Sequence, residues 1–162
     1  MSSFELRPFY SLDIPKVANI DSRCRNFPWS ENQFQESLDN GHKCWLLEIA
    51  VAGKKEITGF AVVSSVLDEW HLLNIGVLPG HQGKGYGAGL LDNIIAMAKN
   101  NDVREILLEV AASNKPAKRL YEKSGFKQIG LRKNYYPGTG GKEDALVYSL
   151  SVGSGFGSIS SL

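Results

Sequence analysis

Hydrophobic positions along the chain change repeatedly between strand spacing and helical spacing. A short strand is predicted over Phe4–Arg7, and residues Ser11–Cys24 carry apolar side chains at the spacing of a helix. Ser30 and Gln33 form a capping-box pair, which predicts the start of a second helix, and Gly41 lies just past its expected end. The first quarter of the chain therefore contains one strand and two helices.

The rest of the chain alternates strands with helices. The predicted elements are strands over Cys44–Val51, Ile57–Val66 and Leu72–Val77, a helix ending near Asn100, a strand over Glu105–Val110, a helix capped by Ser113 and running to Ser124, and strands over Lys127–Arg132 and Ala145–Leu150. This order is typical of an α+β fold with a mixed, mostly antiparallel central sheet and about four helices. One parallel crossover is expected, between the strand at 72–77 and that at 105–110.

Composition fits a single globular domain. The chain has 162 residues, 43% hydrophobic and 22% charged, as in ordinary globular proteins. We predict one domain over residues 1–150 and a loosely held Ser- and Gly-rich tail over 151–162, in which Phe156 and Ile159 leave docking open. A net charge of +1 gives no electrostatic reason to expect nucleic acid or a membrane as partner.

The same inventory predicts a cytoplasmic protein without a metal. The apolar runs are far shorter than the ~20 residues that span a bilayer, and the N-terminus lacks the pattern of a signal peptide. Cys24 and Cys44 lack CxxC spacing, which suits a reducing compartment. The histidines share no ligand-like spacing with them; these are His42, His71 and His81.

A glycine-rich loop, Gln82–Gly87, joins the strand at 72–77 to an amphipathic helix. Glycines there let backbone N–H groups converge, and the helix dipole adds partial positive charge. This arrangement predicts an anion-binding loop whose usual ligand is phosphate.

Three glycine patterns compete for this loop. A P-loop is excluded because Lys84 is followed by Gly85 rather than by Ser or Thr. Gly83–Ala88 nominally fits the dinucleotide pattern, but that pattern belongs to the first turn of a longer parallel unit. Gln82, Gly85 and Gly87 satisfy the pattern (Gln/Arg)-x-x-Gly-x-(Gly/Ala) of a pyrophosphate loop. Taken alone, this third pattern leaves open that the glycines serve only the turn.

Glu109 is the candidate general base, because it interrupts an apolar strand. Alternation places it on the face of Leu107, opposite Ile106, Leu108 and Val110. A carboxylate beside apolar groups is suited to proton abstraction. The alternative is an outward-facing strand residue in a salt bridge.

A set of ordered motifs resembles the GCN5-related N-acetyltransferase (GNAT) superfamily over about residues 4–150. After the glycine loop come Asn114-Lys115-Pro116-Ala117 and Leu120-Tyr121-Glu122-Lys123-Ser124-Gly125-Phe126. The resemblance implies the GNAT fold, in which central strands splay apart to hold acetyl-CoA, and N-acetyltransferase activity.

Three segments are similar to the RimI-type N-terminal acetyltransferases of bacteria. They are Phe27-Pro28-Trp29-Ser30, the stretch Glu109–Phe126, and Asn134-Tyr135-Tyr136-Pro137 through Gly141-Lys142-Glu143-Asp144-Ala145. This similarity implies an acetyl-CoA-dependent enzyme that acetylates the N-terminal alanine of a small-subunit ribosomal protein. The implied partner is thus a protein N-terminus, without nucleic acid or membrane, and the sequence does not indicate an oligomeric state.

The resemblance also implies roles for individual residues. Acetyl-CoA is the expected co-substrate, held by Ile75, Gly76, Val77, Gln82, Gly83, Lys84, Gly85, Tyr86, Gly87, Ala88 and Asn114. Glu109 is the expected base, and Tyr121 the acid that protonates the departing thiolate. A core tyrosine is the alternative for Tyr121. Trp29, Tyr135 and Tyr136 are candidate walls of a peptide slot, with hydrophobic core as the alternative for each.

Two positions depart from the RimI-type pattern. Ala111 stands where arginine is common, and Gly83 where a basic residue is common. We expect weaker phosphate contacts or an altered substrate preference. Fold and donor loop do not select the acceptor, so an enzyme acting on lysine side chains or a small amine stays open. A non-catalytic CoA-binding module is the remaining alternative.

Overall fold

The computed structural model describes residues 4–138 and 140–153. The strands are β1 (Phe4–Pro8), β2 (Lys43–Val51), β3 (Lys54–Val66), β4 (Glu69–Val77), β5 (Glu105–Ala111), β6 (Lys127–Gly138) and β7 (Gly141–Ser151). The helices are α1 (Ile14–Cys24), α2 (Glu31–Asp39), α3 (Tyr86–Asn100) and α4 (Lys115–Lys123). Short 3-10 turns precede α1 and the glycine loop. The order of elements is the predicted one.

The strands form one sheet in the order β1-β2-β3-β4-β5-β7-β6. The pairs β1/β2, β2/β3, β5/β7 and β6/β7 are antiparallel. β4 and β5 are parallel, in register from Glu69↔Glu105 to Leu72↔Leu108. The predicted α+β class and its single parallel crossover are therefore confirmed.

The chain divides into two compact units. The first comprises the described residues up to Ser64 together with Leu73–Leu90, and the second comprises Ser65–Leu72 and the described residues from Leu91 onward. In the first unit, one hydrophobic cluster joins α1 and α2 to the strands beneath them. Phe34 lies at its centre, with its ring 5.5 Å from that of Phe60.

In the second unit, β5 alternates as its sequence predicts. Ile106, Leu108 and Val110 are buried, whereas the residues between them are partly exposed. Glu109 therefore lies on the more open face of the strand, as expected.

The predicted cap of α4 is wrong by one residue. Asn114, not Ser113, is the N-cap, and its side-chain oxygen accepts a hydrogen bond from the Ala117 N–H at 3.2 Å. The Ser113 N–H instead donates to Glu143 Oε1 at 3.0 Å. Serine and asparagine are comparable caps, so local sequence does not decide between Ser113 and Asn114. The contact of Ser113 with Glu143 is a tertiary one, which the local sequence does not reveal.

The closing strands are longer than predicted, and the aromatic segment at 134–137 belongs to β6. The register of β6 against β7 shifts between Arg132 and Tyr136, and Asn134 has φ +53°. Such an irregularity adds residues to one strand without ending it. The predicted strand stopped at Arg132 because this segment lacks regular alternation.

The two residues that follow β7 are hydrogen-bonded to the residue just before β5. The Val152 and Gly153 N–H groups donate to the Arg104 carbonyl at 2.9 and 3.3 Å. Phe156 and Ile159 lie outside the described residues, and the single domain over 1–150 with its tail stays a prediction. Across residues 4–138 and 140–153, no helix is both long and apolar enough to cross a membrane.

Candidate active site

The glycine loop has the backbone of an anion-binding turn. Gly83 and Gly85 have φ values of +76° and +87°, in the left-handed region that glycine enters without steric cost. The Gly85 carbonyl accepts a hydrogen bond from the Gly89 N–H at 2.9 Å. The N–H groups of a helix's first turn lack intrahelical acceptors, and in α3 these belong to residues 86–88. An anion can bind there.

Two side chains of the loop hold it against the rest of the first unit. Gln82 Nε2 donates to the Val77 carbonyl at 2.8 Å. The Tyr86 side chain is buried in a cluster with Leu47, Ile49 and Val77. Its contribution to a bound ligand is therefore limited to its backbone, while Lys84 stays exposed.

Gly76, in the second half of β4, is required by packing. A Cβ at this position would lie 2.8 Å from Phe60 Cε1 and 3.3 Å from Cys24 Sγ. The Cys24 thiol donates to the Val77 carbonyl at 3.2 Å. Burial raises the pKa of Cys24, and the Asp21 carboxylate adds to this effect, so the thiol remains a protonated donor.

A buried polar network connects α1, the segment after it and β4. Asp21 is fully buried, and its Oδ2 accepts the Trp29 N–H at 2.9 Å and Asn74 Nδ2 at 3.2 Å. Arg25 Nε lies 2.8 Å from Asp21 Oδ1, and Arg25 Nη2 donates to Asn74 Oδ1 at 2.5 Å. Sequence reasoning missed this network. Its signal was a carboxylate at i+4 from Val17 on an apolar helix face.

Trp29 belongs to the same unit and is half-buried. Its ring packs against Phe34 with centroids 5.1 Å apart. The hydrogen bond from its N–H to Asp21 fixes the backbone of the segment between α1 and α2. Packing therefore accounts for part of the Trp29 surface.

Glu109 lies in the second unit, against a basic and aromatic group. Arg132 Nε is 2.6 Å from Glu109 Oε2, with side-chain exposures of 58% and 29%. Oε2 is shielded from solvent and the contact lacks hydrogen-bond alignment, so the attraction is that of an ion pair. The Arg132 guanidinium also lies 5.1 Å from the centre of the Tyr135 ring, and Tyr135 packs edge-on against Tyr136 at 5.2 Å. The predicted salt-bridge alternative for Glu109 is thus present.

Tyr121 is buried on α4, as the core-tyrosine alternative expected. Its ring lies 5.8 Å from that of Phe126 and 6.4 Å from that of Tyr148. The neighbouring Tyr148 hydroxyl donates to Glu122 Oε2 at 2.8 Å. Burial raises the pKa of Tyr148, and the bond to Glu122 raises it further. Tyr148 is therefore a protonated phenol with a defined structural partner.

The candidate residues fall into both units. The first holds Ile75–Val77, Gln82–Ala88 and Trp29, and the second holds Asn114 together with the side chains around Glu109 and Tyr121. Within the described part of the chain, no three histidine, cysteine or acidic side chains are grouped as a metal site. That the protein needs no metal stays a prediction.

A mixed seven-stranded sheet, a glycine loop opening the helix after β4 and an Asn-capped helix after β5 together define the acetyltransferase class of α+β proteins. The Acetyltransferase (GNAT) family matches residues 14–126, and the chain belongs to this family of N-acetyltransferases. The resemblance predicted from its motifs is confirmed.

Within this family, the chain is similar to several individual N-acetyltransferases. The [ribosomal protein bS18]-alanine N-acetyltransferase of Escherichia coli strain K12 is 39% identical over 140 residues, which cover 86% of this chain and 92% of the relative. The crystal structure of the ribosomal-protein-S18-alanine N-acetyltransferase from Escherichia coli superposes with a TM-score of 0.84 at 36% identity, covering 93% of this chain and 94% of that one. Arabidopsis thaliana NAA60 in complex with acetyl-CoA shares the fold, with a TM-score of 0.81 at 19% identity over 93% and 99% of the two chains.

Proposed function

We propose that this protein is an acetyl-CoA-dependent N-terminal acetyltransferase whose substrate is the N-terminal alanine of a small-subunit ribosomal protein. One observation carries the proposal: 39% identity over 92% of the length of an enzyme named for alanine acetylation of ribosomal protein bS18. Such a substrate is met in the cytoplasm, where we expect the enzyme to act. The geometry of each unit supports the assignment of roles to individual residues.

The donor side is assigned to the first unit and to Asn114. Acetyl-CoA, when bound, supplies the activated acetyl group. The backbone of Gln82–Ala88 suits its pyrophosphate, because first-turn N–H groups and positive-φ glycines are available there. Ile75–Val77 offers backbone groups to the pantetheine arm, and a Val77 N–H donor would stabilise the developing oxyanion. Asn114 uses its side-chain oxygen as a cap, so its amide nitrogen is the group assigned to the ligand.

The acid–base chemistry is assigned to the second unit. Glu109 takes a proton from the substrate ammonium at a carboxylate oxygen, and the Tyr121 hydroxyl returns a proton to the departing sulfur. The partly sheltered carboxylate and the buried phenol support these roles. An α-amine has a pKa near 8, against about 10.4 for lysine. Less free energy is therefore needed to make an N-terminus nucleophilic.

Contacts with the acceptor peptide are assigned to Trp29 in the first unit and to Tyr135 and Tyr136 in the second. Rigid aromatic rings bind a small residue such as alanine at low entropic cost. Tyr135 is 48% exposed and therefore has surface to offer a peptide. Gly83 stands where a basic residue is common in this class, and its backbone lies in the left-handed region. Glycine therefore preserves the shape of the loop, while the phosphate loses the contact that a basic side chain would make.

The test is mass spectrometry of peptides incubated with enzyme and acetyl-CoA. One peptide begins with Ala-Arg, two matched peptides begin with serine or methionine, and a fourth has a blocked N-terminus and an internal lysine. We expect the α-amine of the alanine peptide to be acetylated fastest and the blocked peptide to react poorly. Preferential modification of the lysine would assign the enzyme to side-chain amines. No transfer to any peptide, with acetyl-CoA bound, would favour a non-catalytic module.

A further inference from the structure

The reach of Arg132 to Glu109 follows from the register of three strands. Glu109 pairs with Val147 of β7, and both Ala111 and Arg132 pair with Ala145 from opposite sides. Paired residues project from the same face of a sheet, so Arg132 and Glu109 share one face, two strands apart. The Ala145 methyl group is too short to obstruct the long arginine side chain. Arginine can therefore cross β7 diagonally to the carboxylate.

Arg132 compensates the negative charge of the Glu109 carboxylate. Glu109 Oε2 is shielded from solvent, although the side chain as a whole is 29% exposed, and a nearby cation stabilises such a partly shielded carboxylate. Arg132 supplies that cation at 2.6 Å. Its planar guanidinium places a delocalised positive charge beside the carboxylate.

The ion pair between Arg132 and Glu109 can be displaced by a competing cation. The Arg132 side chain is 58% exposed, and its guanidinium already lies against the exposed Tyr135 ring. A cation that leaves the carboxylate thus keeps solvent and an aromatic face as partners. Ion pairs of this exposure contribute little stability, so a second cation can compete for Glu109.

We propose that Arg132 is a specificity-determining residue that occupies, in the enzyme without peptide, the position at Glu109 that the substrate's α-ammonium takes. The inference rests on the proposed function, in which Glu109 accepts the ammonium proton. Arg132 keeps Glu109 paired with a cation between turnovers. It also makes every acceptor displace a cation before it can react, which disfavours amines that lack further contacts with the enzyme.

The test separates the ammonium from the rest of the peptide. Arg132→Gln and an apolar variant of similar length, Arg132→Met, are compared with wild type at pH 7, where most α-amines are protonated. Two ligands are used: an Ala-initiated peptide as substrate, and the same peptide with an acetylated N-terminus as inhibitor. We expect both variants to lower KM for the free peptide by about three- to tenfold, and to leave the inhibition constant of the acetylated peptide unchanged. Arg132→Lys, which keeps the charge, should return KM toward the wild-type value.

The matched control is Lys127→Gln, which removes the same charge from the exposed start of β6. It should leave both constants at wild-type values. An unchanged or raised KM in the neutral variants would overturn the inference. So would an equal change for the acetylated peptide, because that would indicate general attraction of the peptide. Wild-type enzyme that transfers no acetyl group to the free peptide would instead refute the proposed function.

Discussion

The side-chain amide of Gln82 is bonded to the carbonyl of Val77 at 2.8 Å, which ties the glycine loop to the end of the strand before it. Gln82→Ala removes this hydrogen bond without changing the packing of the hydrophobic core. We expect KM for acetyl-CoA to rise about three- to tenfold, because one hydrogen bond contributes about 1 kcal/mol, with little change in melting temperature. The matched control is Gln128→Ala, whose side chain reaches the Gly130 carbonyl at 3.4 Å in β6. Equal effects of the two variants would contradict the role of the tie.

Gly85 tests the backbone of the loop. Its φ of +87° is strained for any side chain with a Cβ. Gly85→Val should therefore abolish calorimetric binding of acetyl-CoA while the rest of the fold persists. Gly80→Ala is the matched control, since a Cβ at Gly80 meets open space and its φ lies outside the left-handed region. Unchanged affinity in Gly85→Val would mean that these glycines serve only the turn.

Glu109→Gln keeps the shape of the side chain but removes the proton acceptor. We expect kcat to fall by roughly 10²–10⁴ if deprotonation limits the rate, with the dissociation constant of acetyl-CoA nearly unchanged. Steady-state kinetics with an Ala-initiated peptide and a parallel binding titration measure the two quantities. Wild-type turnover in this variant would contradict the role of Glu109 as general base, and its ion pair with Arg132 would then be its only assigned role.

The two neighbouring tyrosines allow a matched comparison of one deleted hydroxyl. Tyr121→Phe should lower kcat, because the thiolate would then leave unprotonated. Tyr148→Phe removes a hydroxyl bonded to Glu122 at 2.8 Å and should cost about 1 kcal/mol of unfolding free energy while sparing kcat. Turnover that falls equally in both variants would indicate a shared packing defect.

Cys44 sets an expectation for alkaline stability. Burial raises the pKa of this thiol from 9.0 to about 11. The folded value exceeds the unfolded one, so this contribution to stability is complete below pH 9 and is lost as the pH rises through 11. Cys44→Val should remove this loss, so that its unfolding free energy relative to wild type improves by about 1 kcal/mol between pH 8 and pH 10. Urea unfolding at both pH values measures the difference, and parallel declines in the two proteins would exclude the thiol as a cause.

Local patterns predicted the elements that depend on local physics. The capping pair of Ser30 and Gln33 is present as predicted, with both reciprocal hydrogen bonds. The face of Glu109 also followed from alternation alone. Motif order predicted the family, because each motif has a fixed place in one topology.

What the sequence concealed depends on contacts between distant residues. Asn114 caps α4 where Ser113 was expected, in a structure where Glu143 accepts the Ser113 N–H. Arg132 meets Glu109 only because β7 lies between β5 and β6. Asp21 and Asn74 are 53 positions apart in the chain and form their bond once α1 packs on β4. No local pattern carries such pairings.

The irregularity of β6 has a consequence for how the protein behaves in a concentrated solution. β6 is the last strand of the sheet, and outer strands are templates on which another chain can add. Its first half carries the exposed apolar residues Ile129 and Leu131. The register shifts once at Ile129, between Gln128 and Gly130, and again beyond Arg132, where Asn134 is left-handed, so the edge is interrupted on both sides of Leu131. The distortion that presents Tyr135 to solvent thus also shortens the flat edge available for aggregation.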